Sequence, residues 1–321
     1  MKVRTYTTTN LLPSKQKRHN KNKIKSRIAL AVVLLVFISV ICGLVYHRYF
    51  RGRNHRKLET LSSSAEYELR VTIIDVGQGS SALIESGGEA MLIDSGTRDN
   101  SKKIAELLKK RGIESLKYLA ATHPHADHIG GMGDLIYAFL PKVLLTDGLK
   151  SDNASYKAMM DAADKNNCDI SVCEAGETFT LGSAKLTVLS PGKEYESVND
   201  MSLVFRLECG NSTFLFMGDA GKEVEETLLS GKDKSLLDCD ILVAGHHGSS
   251  DASSESFVRS VSPVEAVISC GKDNDYGHPH RETLELFEKL GVAVRRTDLE
   301  GNITYAVNSD SLYRLSEGTA Q

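Results

Sequence analysis

The sequence predicts an α/β domain with many strands, preceded by one membrane-spanning helix. From Leu69 onward, short apolar and β-branched runs alternate with segments of helical spacing. A run of 19 uncharged, mostly apolar residues, 28–46, lies near the N-terminus. At about 1.5 Å per residue this run would form roughly 28 Å of helix, enough to cross the hydrocarbon core of a bilayer.

An uncleaved anchor explains this run better than a cleaved signal peptide, whose apolar core spans about 7–15 residues and ends in small residues. Nine Lys and Arg precede the run, and five lie between Arg48 and Lys57. The positive-inside rule therefore places the N-terminus in the cytoplasm and the remainder outside, in a single-pass membrane protein. We expect a basic tail (1–27), an anchor (28–46), a linker (47–66) and one folded domain (67–315).

The elements of the domain follow in chain order. The segments "LRVTIIDV", "SALIE" and "AMLID" predict three strands joined through "GQGS" and "SGGE" turns. The spacing of Ile104, Leu107 and Leu108 predicts a helix that ends before Gly112, and "SLKYLAAT" predicts a buried strand. Further helices are expected over 155–166, 222–229, 254–261 and 281–290, and strands over 185–190, 202–209, 213–217, 240–244, 264–269 and 303–307.

Charge is distributed unevenly along the chain. The formal net charge is −3, but no Asp or Glu precedes Glu59. From Glu59 onward there are 25 basic and 42 acidic residues, a balance of −17. Proteins that bind long nucleic acids usually present basic patches, so this balance disfavours tight, unaided binding of a long duplex.

The six cysteines include no C-x-x-C pair, which disfavours a zinc site built from thiolates. We expect small, buried core residues at most of these positions. A disulfide between Cys168 and Cys173 stays open, because an oxidising exterior would permit it.

The stretch "ATHPHADHIGG", residues 121–131, is called the histidine loop below. It follows an apolar strand and carries His123, His125, Asp127 and His128 within six positions. One tight loop can hardly direct all four side chains at one ion, so we expect them to be divided between two adjacent metal ions. The loop therefore predicts a metal-dependent enzyme.

Two adjacent ions need further ligands, and the sequence offers them at the ends of other strands. "FLFMGDAG" ends a strand on Asp219, and "DILVAGHHGSS" ends another on His246 and His247. Loops that follow strands of an α/β sheet are where such side chains collect. Asp94 in "LIDSG" and Asp75 in "DVGQG" end two more strands, and a carboxylate there can support a ligating histidine.

These segments resemble the metallo-β-lactamase superfamily, whose H-x-H-x-D-H loop matches the histidine loop letter for letter. More specifically, eight segments look like the C-terminal hydrolase domain of ComEC-type competence proteins: "IIDVGQGSSALIE", "LIDSG", "THPHADHIGGM", "VNDMSLVFRLE", "FLFMGDA", "ILVAGHHGS", "ISCGKDNDYGHPH" and "ETLELFEKLG". The resemblance implies an αββα sandwich. It does not extend to the multi-helix DNA channel of those proteins, and we expect the anchor helix to take its place.

The resemblance also implies the ligand roles. His123 and His125 would bind the first metal, Asp127 and His128 the second, and Asp219 would bridge the two. His246 is the preferred remaining ligand of the second metal, with His247 lining the substrate pocket, although the tandem leaves the choice open. Many superfamily members supply another histidine from the region of "SVNDMS", where this chain offers Asn199 or Asp200 instead. The related family usually has Asp at the position of Ser80, so no role is transferred there.

The expected activity is that of a two-metal phosphodiesterase or nuclease loaded with Zn²⁺ or Mn²⁺. Asp127 would orient the attacking water, with His247 and His278 as further catalytic residues and Asn274 and Tyr276 as substrate-binding residues in "GKDNDYGHPH". The expected partners are a phosphodiester substrate such as DNA, the membrane, and separate DNA-uptake proteins. Two alternatives stay open: another hydrolase of this superfamily (a lactamase, lactonase or choline-phosphate esterase), and a non-catalytic surface binding module. The pattern leaves the oligomeric state open.

Overall fold

The computed structural model describes residues 58–62, 67–231, 233–308 and 311–316, together with helical residues 27, 28, 31, 32, 34, 35 and 37–40. The chain divides into two compact units, Met1–Gly52 and Arg53–Gln321. The described positions of the predicted anchor are helical and exposed, and its other positions, with most of the predicted tail and linker, lie outside the described residues. Among described residues, no helix has the length and apolar character needed to span a membrane.

The larger unit contains two β-sheets in its described residues. The strands are β1 (Glu59–Ser62), β2 (Leu69–Ile73), β3 (Ala82–Ser86), β4 (Glu89–Ile93), β5 (Tyr118–Ala121), β6 (Val143–Thr146), β7 (Asp169–Val172), β8 (Thr178–Leu181), β9 (Ala184–Ser190), β10 (Val204–Cys209), β11 (Ser212–Phe216), β12 (Ile241–Val243), β13 (Glu265–Ile268), β14 (Ala293–Arg296), β15 (Ile303–Asn308) and β16 (Ser311–Ser316). The first sheet has the order β1-β16-β15-β2-β3-β4-β5-β6-β7, and the second has the order β14-β13-β12-β11-β10-β9-β8.

Helices connect many of the strands and cover the sheets. They are α1 (Ser101–Lys110), α2 (Ala126–Ile129), α3 (Met132–Phe139), α4 (Ala154–Lys165), α5 (Lys222–Ser230), α6 (Glu255–Val261), α7 (Arg281–Leu290) and α8 (Thr297–Glu300). The α4 helix starts at a cap in which the Asn153 side chain accepts the Tyr156 N–H, and α7 ends at Gly291 in the left-handed conformation that glycine favours.

Three apolar clusters hold these layers together. One lies between the two sheets, a second packs α1, α3 and α4 onto the first sheet, and a third packs α5, α6 and α7 onto the second. In β11, Phe214 and Phe216 belong to the cluster between the sheets, whereas Leu215 belongs to the cluster under the helices. Strands buried on both faces need such continuous apolar runs. The arrangement is the predicted αββα sandwich.

The parallel strands position the functional residues. Strands β4, β5 and β6 are parallel in the first sheet, and β11, β12 and β13 are parallel in the second. Asp94 directly follows β4, the histidine loop begins at the end of β5, Asp219 follows β11, and the His246–His247 pair follows β12. Since loops beyond the carboxyl ends of parallel strands form ligand sites, these residues gather at one edge of the sandwich.

The sequence expectation did not include strands β1, β6, β7, β8, β14 and β16. Strand β1 lies inside the predicted linker and pairs in parallel with β16, with Glu59 opposite Tyr313. A four-residue strand at a sheet edge carries too short an alternation to be recognised from sequence. Cys168 and Cys173 are both buried free thiols, so this structure contains no disulfide between them.

Candidate metal centre

Six side chains form two adjacent groups at this edge. The first group contains His123, His125 and Asp219, and the second contains Asp127, His128 and His247. Within each group the potential ligand atoms all lie within 4.8 Å of one another.

Local backbone geometry separates the four side chains of the histidine loop. The loop leaves β5, and α2 begins at Ala126 with His125 as its extended N-cap residue. The turn packs tightly on "DVGQGS": the Ser80 N–H donates to the Asp127 carbonyl, and Gly79 adopts a φ of +146°. A Cβ on Gly79 would lie 2.4 Å from that same oxygen, so only glycine fits.

The nitrogen atoms in each group are spaced like ligands of one ion. His123 Nε2 lies 3.0 Å from His125 Nδ1, and His128 Nε2 lies 3.3 Å from His247 Nε2. Two nitrogens that each bind a tetrahedral zinc at about 2.0–2.1 Å are about 3.3 Å apart. Each pair of imidazoles could therefore bind one cation: His123 with His125, and His128 with His247.

Asp219 connects the two groups through its two carboxylate oxygens. Oδ2 lies 3.7 Å from His123 Nε2, whereas Oδ1 lies 3.2 Å from His128 Nε2 and 3.5 Å from His247 Nε2. The side chain is buried, and Oδ1 has no hydrogen-bond donor in good geometry among the described residues. A buried carboxylate oxygen without a hydrogen bond is costly, and a cation held in each group would satisfy it.

Contacts behind the ligands determine which nitrogen of each imidazole faces the centre. Asp94 Oδ2 lies 2.8 Å from His128 Nδ1, and the Asp94 carboxylate also accepts hydrogen bonds from Thr122 N and Oγ1. His247 Nδ1 donates to the Ser269 carbonyl at 3.0 Å. A proton held on Nδ1 leaves the Nε2 lone pair free for a metal. His128 and His247 are thus prepared as Nε2 ligands, and a bound cation would replace the Nε2 proton with which His247 hydrogen-bonds Asp127 in the metal-free chain.

The electrostatic environment keeps the two central carboxylates ionised. Burial alone would raise the pKa of Asp127, but the hydrogen bond from His247 and the charge of His128 outweigh it and lower that pKa to about 2. Burial opposes ionisation of Asp219 too, and the charges of His128 and His247 hold its pKa well below the usual range. Both side chains are therefore available as anionic cation ligands at neutral pH.

The geometry of the tandem histidines favours the opposite roles from those that the sequence favours. His247 is buried, and its Nε2 lies 3.3 Å from Asp127 Oδ2. The His246 Nε2 atom lies 4.0 Å from Asp219 Oδ2 and 3.4 Å from Asn199 Nδ2, and its side chain is 25% exposed. The geometry therefore favours His247 as the ligand and His246 as a wall of the cleft. Both residues have positive φ, of 50° and 54°, which turns the two side chains apart in a way that sequence cannot indicate.

The late loop reaches the site through His278. This buried ring lies 5.5 Å from the His246 ring and 6.1 Å from the His247 ring, centroid to centroid, and the exposed Tyr276 stacks on it. The Asn274 amide, however, bonds to Gly271 O and to the backbone of Tyr276 and His278. Asn274 therefore stabilises the loop, and its amide is already used by backbone groups instead of being available for the predicted substrate contact.

The remaining predicted residues have supporting contacts. Asp200 accepts the Gly221 N–H at 2.7 Å at the start of α5, which occupies one carboxylate oxygen away from the six ligands. Asp75 accepts the Gly77 N–H and pairs with Lys103 at 3.1 Å. Asn199 lies beside His246, and its buried Oδ1 lacks a hydrogen-bond partner among the described residues. Asn199 is thus the better placed of the two proposed substitutes.

Sequence reasoning missed Ser202, which supports the first group. Its hydroxyl accepts the Asp219 N–H at 3.0 Å and lies 3.2 Å from His123 Nδ1. Its only sequence signal is its place two residues after Asp200, one of the two expected substitutes.

The donor set of four imidazoles with Asp127 and Asp219 suits zinc and other divalent transition ions. These residues could hold two such cations, one in each group.

Comparisons with known proteins show the family to which this domain belongs. The family model described as "Metallo-beta-lactamase superfamily" matches residues 74–150. The chain is 31% identical over 265 residues to ComE operon protein 3 of Bacillus subtilis (strain 168), which covers 76% of this chain and 33% of that protein. It is 31% identical over 250 residues to the competence protein ComA of Neisseria gonorrhoeae, covering 75% of this chain and 33% of that one. The chain thus spans about a third of the length of these relatives.

Two more distant similarities complete the comparison. The exodeoxyribonuclease WalJ of Streptococcus pneumoniae is 26% identical over 162 residues, which cover 49% of this chain and 56% of that protein. The crystal structure of CmlA, a diiron β-hydroxylase from Streptomyces venezuelae, superposes with a TM-score of 0.51 at 16% identity, over 76% of this chain and 55% of that one. The latter supports the fold alone. The chain therefore carries a domain of the metallo-β-lactamase superfamily, related to the matching part of the competence proteins.

Proposed function

We propose that this protein is a two-metal phosphodiesterase that cleaves DNA. The observation that carries the proposal is the pair of adjacent ligand groups joined by Asp219. Two cations clamped by one carboxylate suit the in-line displacement at a phosphodiester. The similarity to competence proteins and to an exodeoxyribonuclease supports DNA as the substrate class.

The residues have distinct roles in this proposal. His123 and His125 would hold the first cation, Asp127, His128 and His247 would hold the second, and Asp219 would be shared. When bound, the two cations lower the pKa of an attacking water and neutralise charge in the transition state. Asp127, ionised and partly exposed, accepts a hydrogen bond from that water and orients it toward the phosphorus.

His278 binds the phosphate in this proposal. The Gln78 Oε1 atom accepts the Gly271 N–H, which leaves the Gln78 amide nitrogen to donate toward His278 Nδ1 at 3.5 Å. The proton of a neutral His278 then lies on Nε2. Burial lowers the pKa of His278 to about 4, so the ring is neutral and donates this one hydrogen bond.

Membrane attachment is part of the proposal and rests on sequence. The apolar run 28–46 and the larger number of basic residues before it favour an anchor with the catalytic domain outside. Because its relatives include competence proteins, we further propose that separate DNA-uptake proteins act with it.

The test uses the full chain in detergent, stripped of metal and reloaded with Mn²⁺ or Zn²⁺. Single-stranded DNA, duplex DNA, bis(p-nitrophenyl) phosphate and a chromogenic β-lactam are offered in parallel. We expect hydrolysis of DNA and of the diester. Asp127→Ala and Asp219→Ala should lower it more than about 100-fold, since supporting partners of metal ligands alone are worth about 10–100-fold. Turnover of the β-lactam alone, or full activity in both variants, would contradict the proposal.

A further inference from the structure

A cavity of about 390 Å³ lies beside the metal centre and has no role in the chemistry described above. Its walls include apolar side chains from Val172, Pro191 and Met201, and one buried carboxyl group, Asp147. We call it the Asp147 pocket. Its volume equals that of about thirteen water molecules at roughly 30 Å³ each, which is more room than a purine needs.

The Asp147 pocket adjoins the first ligand group. Ala121 in β5 pairs with Thr146 in β6, so Asp147 leaves its strand next to Thr122, the residue before His123. Neighbouring strands are about 4.8 Å apart. On another wall, Met201 directly precedes Ser202, whose hydroxyl lies 3.2 Å from His123 Nδ1. A group bound in this pocket could therefore belong to a substrate whose reacting bond lies at the first ligand group.

Asp147 has unused hydrogen-bonding capacity. Its side chain is 8% exposed, and Oδ1 accepts the Leu149 N–H at 3.0 Å. The Oδ2 atom is buried and has no hydrogen-bond partner within the part of the chain that the structure describes. Buried polar atoms are almost always partnered, so an unpartnered carboxyl oxygen on a residue that lines a cavity indicates a ligand group that reaches it.

The charge around the pocket indicates which kind of group this is. Glu174 and Glu194 lie at its exposed rim, and Lys193, which also lines it, is paired with Glu223 at 2.8 Å. An anion such as a phosphate would be repelled by these carboxylates. Burial raises the pKa of Asp147 to about 7, so a large fraction of this group is neutral and offers a donor and an acceptor side by side. Nucleobase edges present the complementary pair.

We propose that the Asp147 pocket is a nucleobase subsite, in which Asp147 hydrogen-bonds the edge of a base next to the scissile phosphodiester. The inference rests on the proposed function and deepens it. It also accounts for how a domain with a balance of −17 from Glu59 onward can act on DNA: it binds a base and the phosphate at the cations, instead of a long stretch of backbone.

The experiment compares substrates with and without a base. The full chain, loaded with Mn²⁺, is assayed on the p-nitrophenyl esters of the four deoxynucleoside 5′-monophosphates and on bis(p-nitrophenyl) phosphate, which has no base. Asp147→Ala should raise KM for at least one nucleotide ester by about tenfold, the size expected for a base-edge contact, with kcat unchanged. It should leave the kinetics of the baseless diester within about twofold of wild type.

Two further variants make the result specific. Asp147→Asn keeps an adjacent donor and acceptor and should restore a KM near that of wild type. Glu174→Gln changes a rim carboxylate and should have little effect on any KM. If Asp147→Ala lost activity equally on the nucleotide esters and on the baseless diester, Asp147 would belong to the metal centre. Unchanged KM values in this variant would contradict the base subsite.

A binding measurement separates this inference from the proposed activity. Titration of the metal-free chain with the four deoxynucleosides should detect binding of at least one, lost in Asp147→Ala and retained in Asp147→Asn. If neither ester nor diester is hydrolysed but a nucleoside binds in this way, the proposed function fails and only base binding at Asp147 stands. If the diester is hydrolysed but no nucleoside binds and Asp147→Ala leaves every KM unchanged, the subsite fails and the proposed function stands.

Discussion

Asp94→Asn tests how the protein prepares His128 to bind a metal. The buried Asp94 carboxylate accepts three hydrogen bonds, from Thr122 N at 2.9 Å, from Thr122 Oγ1 at 2.8 Å and from His128 Nδ1 at 2.8 Å. Asparagine has the same shape but only one acceptor oxygen. It also tolerates the left-handed backbone that Asp94 adopts, with a φ of 57°, so the variant changes chemistry and not chain path.

The expected loss of metal affinity follows from the tautomer of His128. With the asparagine oxygen directed at Thr122 N, its NH₂ group faces His128 Nδ1, which must then accept, and the imidazole proton moves to Nε2. That proton blocks the lone pair that faces Asp219 at 3.2 Å. Losing such a supporting contact lowers metal affinity about 10–100-fold. The corresponding loss of binding free energy is about 1.4–2.7 kcal/mol.

The assay is competition for Zn²⁺ between the metal-free chain and a chromogenic chelator, which yields a dissociation constant for each ion. We expect weaker binding of the ion held by His128 and little change at His123. Asp134→Asn is the matched control, because it makes the same charge change at an exposed side chain near Arg98. If Asp94→Asn bound both ions as tightly as wild type, the argument from the tautomer would be refuted.

Three further predictions concern single positions. His247→Gln should reduce the bound metal, measured by mass spectrometry, from two ions per chain to one, whereas His246→Gln should retain both; the reverse result would restore the sequence preference. Asp147 has a pKa of about 7 in the folded chain and about 3.9 when unfolded, so wild type should lose about 2–3 kcal/mol of unfolding free energy as the pH rises from about 5 to about 8. Thermal unfolding of Asp147→Asn should lack this loss, and an identical pH dependence in both proteins would contradict it. Gly79→Ala places a Cβ 2.4 Å from a backbone oxygen of the histidine loop and should lower both the unfolding temperature and metal affinity, by at least about 2 kcal/mol in stability. Gly77→Ala, whose Cβ would meet nothing within 4 Å, is the control, and equal effects of the two would mean that the close approach is unimportant.

Much of the site could be predicted because its information is local. The H-x-H-x-D-H spacing lies in one loop, and Asp219 and the histidine pair each end an apolar strand, so their convergence follows from parallel strands sharing an edge. Asp94 was expected to support a ligating histidine, and it contacts His128. These expectations depend on strand ends, and the predicted ends of β11 and β12, 217 and 244, lie one residue beyond the observed ends at Phe216 and Val243.

Other features depend on backbone conformation or on distant pairing, which sequence does not carry. Nothing in "GHHG" indicates that two consecutive histidines adopt positive φ and point apart. Asn274 was expected to meet substrate because it is polar, whereas its amide is used by its own loop. The "TDG" that contains Asp147 has no recognisable pattern, and its unpartnered oxygen becomes visible only when the cavity is formed.

The shared carboxylate of Asp219 is tested most directly by electron paramagnetic resonance of the full chain loaded with Mn²⁺. Two cations bridged by one carboxylate lie about 3.5–4 Å apart, close enough for their spins to couple. The two-metal account predicts two ions per chain and a spectrum of an exchange-coupled pair, which Asp219→Asn converts into the signal of isolated Mn²⁺. A wild-type chain that binds a single ion, or two ions with uncoupled spectra, would contradict it.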